Sequence, residues 1–385
     1  MSETWSDLIE HAVATRRALH REPELAWQET DTAAAIREQL DHLSIPWRAC
    51  AHTGTVAVLN EGAPGRHIAL RADIDALPIE EATGAEWSSR HPGLMHACGH
   101  DGHTATLLAA AGWLKRHEDL LPGPVTLLFQ PAEEGGHGAD KMIAGGALDG
   151  VDLIFGWHNW PAIPEGRAVC PDGPVMCANG SFVIELTGSG GHASQPELCR
   201  DPVLAASAIT LALQQIVSRR IAPQEPAVVS VASIMADSMD TIIPERATLR
   251  GSVRAASTAS RDWIEAQIDQ IATATAAAYG VEAVLSHKPR YGATVNHPEA
   301  AAEMRDALAA ELGASWCSQG TPLPIMASED FSYYLERIPG AFALVGAGQA
   351  GGSPPCHSPA YDFNDSLIPV VARLYARLAG IPLNS

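Results

Sequence analysis

The chain has 385 residues, 46% apolar and 18% charged; that balance excludes wholesale disorder, and at ~100–200 residues per domain the length predicts two domains. Its 25 Lys and Arg stand against 45 Asp and Glu, a formal net charge of −20. That argues against nucleic acid or an anionic membrane as the main partner, since both call for a basic surface.

In chain order, the pattern predicts a helix over 6–21, capped by Ser6 and stopped before Pro23, and a second over 31–43. Then strands and helices alternate. Strands are expected over 67–75, 124–131 and 152–159, and helices over 103–118 and 139–148. The strands are apolar almost throughout, as in a sheet covered on both faces, so this part reads as an α/β domain with its ligands at the loops that follow the strands. The pattern changes near Asn179. Alternating strands (180–188, 227–235, 246–255) and one over 281–287 interleave with helices over 201–220 and 260–279. That is the split βαβ plan of a small α+β domain. After Tyr291 the chain resumes helices and one apolar strand over 340–348. The expected organisation is a catalytic α/β domain (1–180 and 292–385) with a mostly parallel sheet, interrupted by an inserted α+β domain (181–291). No apolar run of roughly 18 residues is present, so no membrane span is expected. The first residues, MSETWSDLIEHAV, lack a basic stretch followed by an apolar one, so no signal peptide is expected. Seven scattered cysteines suit a reducing cytoplasm better than a disulfide framework.

The densest chemical signal is HACGHDGH (His96–His103). Cys98 and His100, one residue apart, can point from one loop to a common centre, and thiolate with imidazole suits zinc, manganese or a similar divalent ion. The same segment also admits Cys98 as a nucleophile with a nearby His as its base. In FQPAEEGGHGA, Glu133 and Glu134 follow an apolar strand. Neighbouring side chains of extended backbone point opposite ways, so one carboxylate can bind metal while the other takes a proton from water, and a solvated acidic turn is the plainer account. His158 in GWHNWP and His357 in PPCHSPAYDF each fall at a predicted strand end. Cys98, His100, Glu134, His158 and His357 together supply five ligands, enough for a two-metal site with positions open to water and substrate. Cys356 reads as a packing thiol.

Weaker candidates surround these. Asp73 and Asp75 in ADIDALP either orient a ligand His or cap a turn. His192 in the glycine-rich GSGGHASQP can donate to a carbonyl oxygen that becomes an oxyanion. Glu329 and Asp330 in SEDFSYYL either complement the first turn of a helix or face the site. Arg254 can pair with a substrate carboxylate, or is a solvated strand residue. Phosphate-loop, dinucleotide-loop and serine nucleophile-elbow signatures are absent.

Taken together, RRALHREPELAWQE, ALRADIDALPIEE, MHACGHDGHTA, FQPAEEGGHGADKMI, GWHNWP, GGHASQP, SEDFSYY and CHSPAYDFND run in order over nearly the whole chain. In them the chain resembles the M20 metallopeptidase/amidohydrolase family, in the branch of hippurate hydrolases, indole-acetyl-amino-acid hydrolases and N-acyl-amino-acid amidohydrolases. The resemblance implies a di-metal aminopeptidase-like catalytic domain and a ferredoxin-like inserted domain that commonly mediates dimerisation. It implies that Cys98, His100, Glu134, His158 and His357 hold two divalent ions (Zn, Mn, Co or Ni), that Glu133 is the general base and later the proton donor, and that His192 stabilises the oxyanion, often across a dimer. Asp75 falls behind the ligands, and Asp73 is not assigned as one. One departure is Thr241 in DTIIPE, where family members usually carry an Asn that helps to bind substrate; Thr has the shorter reach. The expected activity is hydrolysis of an N-acyl (acetyl, benzoyl or similar) amino acid by a cytoplasmic homo-oligomer, with no nucleic-acid or membrane partner. The alternatives are a dipeptidase or N-acetyl-diamino-acid deacetylase of the same family, a hydrolase using Cys98 as nucleophile, and a non-catalytic binder of amino-acid conjugates.

Overall fold

The computed structural model describes residues 4–383, which form two compact units. The first runs to Val175 and resumes over Val295–Pro322 and from Asp330; the second comprises Met176–Thr294 and Leu323–Glu329.

The first unit is built on a seven-stranded mixed sheet. Strand β1 (Trp47–Cys50), β2 (Gly54–Leu59), β3 (Ile68–Asp73), β4 (Val125–Gln130) and β5 (Leu153–Pro164) lie in the order β1-β2-β4-β3-β5, followed by Gly340–Gly348 and the short Ala168–Val169. The central pairings, β4 with β3, β3 with β5 and β5 with Gly340–Gly348, are parallel; the outer ones are antiparallel. Both β3 and β4 are buried at every residue, which is why their sequences are largely apolar rather than alternating, and the buried Arg71, Asp73 and Gln130 among them are paired with one another or with Asp330. Strands β1 and β2 both escape the sequence reading, β2 although it is apolar and buried and β1 because it is an edge strand. The first three residues of β1 are exposed, so the segment carries no apolar run to announce it.

Helices α2 (Thr30–His42) and α3 (His100–Arg116) pack on this sheet, and α1 (Trp5–Arg21) packs on α3, around a core that includes Ile36, Leu70, Leu107, Leu114, Phe129 and Phe155. The N-cap of α1 is Thr4, not Ser6: the Thr4 side chain accepts from the Asp7 amide, and the Asp7 carboxylate accepts from the Thr4 amide. Two orphan donors are satisfied reciprocally by this capping box. The helix expected from His103 starts three residues earlier, so His100 is its first residue.

The second unit is a four-stranded antiparallel sheet in the order Ala227–Met235, Arg246–Ala255, Ala178–Thr187, Glu282–Pro289. Helices Pro202–Leu213 and Thr258–Ala278 cover one face, burying Ile209, Leu213, Ile264 and Ile268 against Phe182, Ile184, Leu249 and Val253. Strand–helix–strand–strand–helix–strand is the ferredoxin-like order. The helix expected over 201–220 is α-helical only to Leu213 and ends in a π turn over Ile216–Arg220. Among the described residues, no helix is long and apolar enough to cross a membrane.

Candidate metal centre

The centre lies in the first unit and draws on four segments. The first is the turn into α3. Gly99 caps that helix with φ of +101°, and a Cβ there would stand 2.4 Å from Asn159 Oδ1 and 2.6 Å from Tyr361 Oη. Only glycine allows the chain this conformation and this close approach, and it sets Cys98 and His100 on either side of the turn. The second segment is the loop from β4 to the helix Gly138–Ala144, which carries Glu133 and Glu134. The third is β5, where His158 sits within the strand opposite Leu344 rather than at its end. The fourth is the loop after Gly340–Gly348, which carries His357.

These segments bring the donors together. Cys98, His100 and His158 offer ligand atoms that all lie within 4.8 Å of one another, and so do those of Cys98, Glu134 and His357. The two groups share Cys98. Within them, Cys98 Sγ is 3.3 Å from His158 Nε2, and His357 Nε2 is 3.0 Å from Glu134 Oε1.

The partners behind the ligands fix which atoms are free. His158 Nδ1 is 2.7 Å from the Asn159 carbonyl. A carbonyl can only accept, so Nδ1 carries the proton and the Nε2 lone pair faces the centre. His100 Nδ1 is 2.9 Å from the Asp75 carbonyl and 3.2 Å from Asp75 Oδ1, which orients Nε2 in the same way. Asp75 is therefore more than a turn cap. Its carboxylate also accepts the backbone amides of Glu133 (3.1 Å) and Glu134 (2.9 Å), so one side chain positions His100 and the acidic loop together. Asp73 is committed elsewhere: one oxygen meets His103 Nδ1 and the other Arg71 Nη1, each at 2.5 Å.

The donor chemistry fits divalent cations. Among the described residues, the buried His100 Nε2 has no hydrogen-bond partner, and an unpaired buried polar atom costs about 1–3 kcal/mol. Burial opposes a charge on His100, yet the carboxylates of Asp73, Asp75 and Glu134 outweigh it and push its pKa up to about 10. The field at this point calls for positive charge. His158 is pushed the other way, by burial and by the neighbouring His103 and His100 rings, and stays neutral as a ligand must. Nitrogen, sulfur and oxygen donors in this mixture suit zinc and its first-row neighbours. Glu133 is buried behind the ligands, with Oε1 3.4 Å from the Asp330 amide.

The second unit carries the remaining candidates. His192 is exposed on a two-residue strand paired with Ile242–Ile243. Its Nδ1 lies 3.1 Å from the Ser194 amide, which can only donate, so the neutral ring carries its proton on Nε2. Thr241 is exposed beside it, and its carbonyl accepts from the Ala193 amide at 2.9 Å. Arg254 is half-buried and, among the described residues, has no carboxylate partner; burial and the nearby Arg290 lower its pKa.

One reading is corrected. The helix in SEDFSYYL spans only Ser332–Leu335, so Glu329 and Asp330 precede it and are not in its first turn. Asp330 is a buried acceptor for Arg71, Gln130 and the Ala139 amide. Asn159 went unnoticed in sequence. It joins three parts of the centre, through its carbonyl to His158, Oδ1 to His103 (2.7 Å) and Nδ2 to Tyr361 Oη (2.7 Å). Two adjacent polar residues, His158 and Asn159, within one otherwise apolar strand are the signal that could have revealed it.

The model of peptidase family M20/M25/M40 matches residues 69–380. The chain is 40% identical over 365 residues to an N-acetyl-L-cysteine deacetylase of Bacillus subtilis, covering 94% of this chain and 86% of that one. It is 38% identical over 382 residues to an IAA-amino acid hydrolase (ILR1-like 4) of Arabidopsis thaliana, with 97% and 86% covered. The crystal structure of the Bacillus subtilis YXEP protein, described as a dinuclear metal binding peptidase from the M20 family, superposes with a TM-score of 0.84 at 33% identity, covering 97% of this chain and 98% of that one.

Proposed function

The chain belongs to peptidase family M20/M25/M40, and on that premise we propose that it is a metal-dependent amidohydrolase that cleaves the amide bond of N-acyl amino acids, releasing a carboxylate and the free amino acid. The observation that carries this reading is the pair of three-residue donor groups sharing Cys98, with the buried Glu133 beside them. The names of the relatives support an acyl group of acetyl or indole-acetyl size.

Cys98, His100 and His158 would hold one divalent ion, and Cys98, Glu134 and His357 the second; zinc, manganese, cobalt and nickel all suit the set. When bound, the ions polarise the scissile carbonyl and acidify water to about neutral pH. Glu133 takes the proton of the attacking water on its carboxylate and returns it to the leaving amine. Asp75 holds the loop that aims Glu133 through two backbone amides. His192 of this chain or of a partner copy donates its Nε2 proton to the developing oxyanion, with the ring kept in that tautomer by the Ser194 amide. Arg254, with no carboxylate partner of its own, is the candidate for the substrate carboxylate, and Thr241 stands beside His192 to contact substrate. The free edge of the strand Ala227–Met235 and the exposed Leu204 and Leu211 support assembly through the second unit. Seven free cysteines support a reducing cytoplasm.

A Cys98 nucleophile is disfavoured. Its Sγ belongs to both donor groups, a ligand's place, and a nucleophile role predicts activity indifferent to a chelator, which amine release before and after a chelator reads.

The test is amine release by the purified protein from N-acetyl, N-benzoyl and indole-acetyl amino acids, with added Mn²⁺ or Zn²⁺ and again after a chelator. Chelator-sensitive release is expected from at least one member. No release from any of them, with metal content confirmed, overturns the reading and turns attention to dipeptides or to a silent binder.

A further inference from the structure

Arg16, on α1, is fully buried yet touches none of the five ligands. Its guanidinium is surrounded by carboxylates. Nε is 3.0 Å from Asp101 Oδ2, Nη2 donates to Asp362 Oδ1, and Nη1 is 3.5 Å from Asp365 Oδ1. Asp101 follows His100 in the first turn of α3, and Asp362 and Asp365 lie on the loop that carries His357. One buried cation therefore ties together two segments that supply ligands.

His357 is the ligand with the greatest need of such an anchor. Its side chain is 52% exposed, whereas Cys98, His100 and His158 are buried. Its backbone is left-handed, with φ of +66°, a conformation strained for a side chain and kept only where the surroundings over-determine it. Nearby, the loop is pinned by the His357 amide to the Ala97 carbonyl at 2.7 Å and by Tyr361 to Asn159 at 2.7 Å. Beyond Tyr361 the loop is held by the buried Phe363, by Trp87 donating to Asp362 Oδ1 at 3.2 Å, by Asn364 and Ser366 donating to Glu165 at 3.0 and 2.7 Å, and by an ionic knot: Arg16 on Asp362 and Asp365, with Arg17 donating to Asp365 Oδ2 at 3.1 and 2.9 Å.

We propose that Arg16 is a positioning residue for His357, anchoring the loop through Asp362 and Asp365 and so setting the affinity of the Glu134/His357 half of the centre separately from the Cys98/His100/His158 half. This rests on the two-metal reading above. A planar fork is needed to meet three carboxylates at once, which the point charge of lysine does not reproduce.

The experiment compares the wild-type protein with Asp362→Asn/Asp365→Asn, which releases the loop and leaves the Arg16–Asp101 pair in place, and with Arg16→Lys. Bound zinc is measured by elemental analysis against a graded competing chelator, with thermal unfolding followed alongside. Wild type should bind two equivalents. The variants should keep the first at wild-type affinity and bind the second about 10- to 100-fold more weakly, the usual effect of removing an outer partner of a metal ligand. Two equivalents at wild-type affinity in the folded double variant overturn the inference. So does equal weakening of both, which would make Arg16 a general structural residue. Should the double variant or Arg16→Lys fail to fold, Asp365→Asn alone, at the partly exposed rim of the network, is judged by the same criteria. A wild-type protein that binds fewer than two equivalents sinks the two-metal reading instead.

Discussion

Replacing Gly99 with alanine perturbs the point where three ligand segments meet. At φ of +101° a residue with a Cβ pays about 1–2 kcal/mol for the left-handed backbone. The added carbon would also lie 2.4 Å from Asn159 Oδ1, 2.6 Å from Tyr361 Oη and 3.0 Å from Phe363 Cδ2. All three neighbours are buried, and Asn159 and Tyr361 are hydrogen-bonded to each other at 2.7 Å. They cannot yield freely. Overpacking costs about 1–3 kcal/mol, and a buried polar group left unpaired costs about 1–3 kcal/mol more. Gly99→Ala should therefore lose about 3–8 kcal/mol, a large share of the stability of an ordinary domain, and should bind metal poorly because Cys98 and His100 flank the shifted turn. Gly84→Ala is the control. Gly84 also has positive φ (+68°), but a Cβ there meets nothing within 4 Å, so only the backbone cost of about 1–2 kcal/mol remains. The assay is urea unfolding of both variants with metal content measured in parallel. Equal losses for the two would refute the packing argument.

Three further outcomes follow from particular contacts. Glu133→Gln should keep its metal while turnover falls about 10²–10⁴-fold; full activity in that variant would remove Glu133 as the base. Asp75→Asn loses the charge that faces His100 and one acceptor for the Glu133 and Glu134 amides, so metal affinity should weaken about 10–100-fold in a chelator competition, and unchanged affinity would contradict its positioning role. His20 is buried, and although burial opposes its charge, Asp101 at 2.8 Å and Glu81 at 3.4 Å raise its pKa to about 9. The folded state thus holds a proton that the unfolded chain releases near pH ~6.5. This contribution is complete below that pH and is lost as pH rises through about 9, a decline of roughly 1–3 kcal/mol. Unfolding midpoints compared with those of His20→Gln should diverge below pH ~7 and converge above ~9.5; parallel curves would show that the pair does not stabilise the fold.

The candidate donors Cys98, His100 and Glu134, the neighbouring Glu133 and the two kinds of sheet were legible because their signals are local, whereas His158 and His357 are lone histidines of distant segments that the family resemblance joined to the set. Cys98 and His100 share one turn, Glu133 and Glu134 share one loop, and the largely apolar β3 and β4 differ visibly from the alternating Arg246–Ala255. The exposed strand β1, the true N-cap Thr4 and the position of His158 inside β5 were not legible. An exposed edge strand has no apolar run, Thr4 and Ser6 both carry cap chemistry, and the extent of a strand depends on the partner strand that pairs with it.

Sequence by itself determined which residues are candidates for holding divalent ions, which carboxylate stands next to them, and that an alternating-strand segment interrupts an α/β one. Tertiary structure decided how that chemistry is held. Asp75 joins His100 to the Glu133–Glu134 loop, Asn159 joins His158, His103 and Tyr361, and Arg16 reaches across 346 positions of chain to Asp362. None of these has a spacing to read, because hydrogen bonds and ion pairs between distant segments depend on how the elements pack, and packing is a property of the whole core.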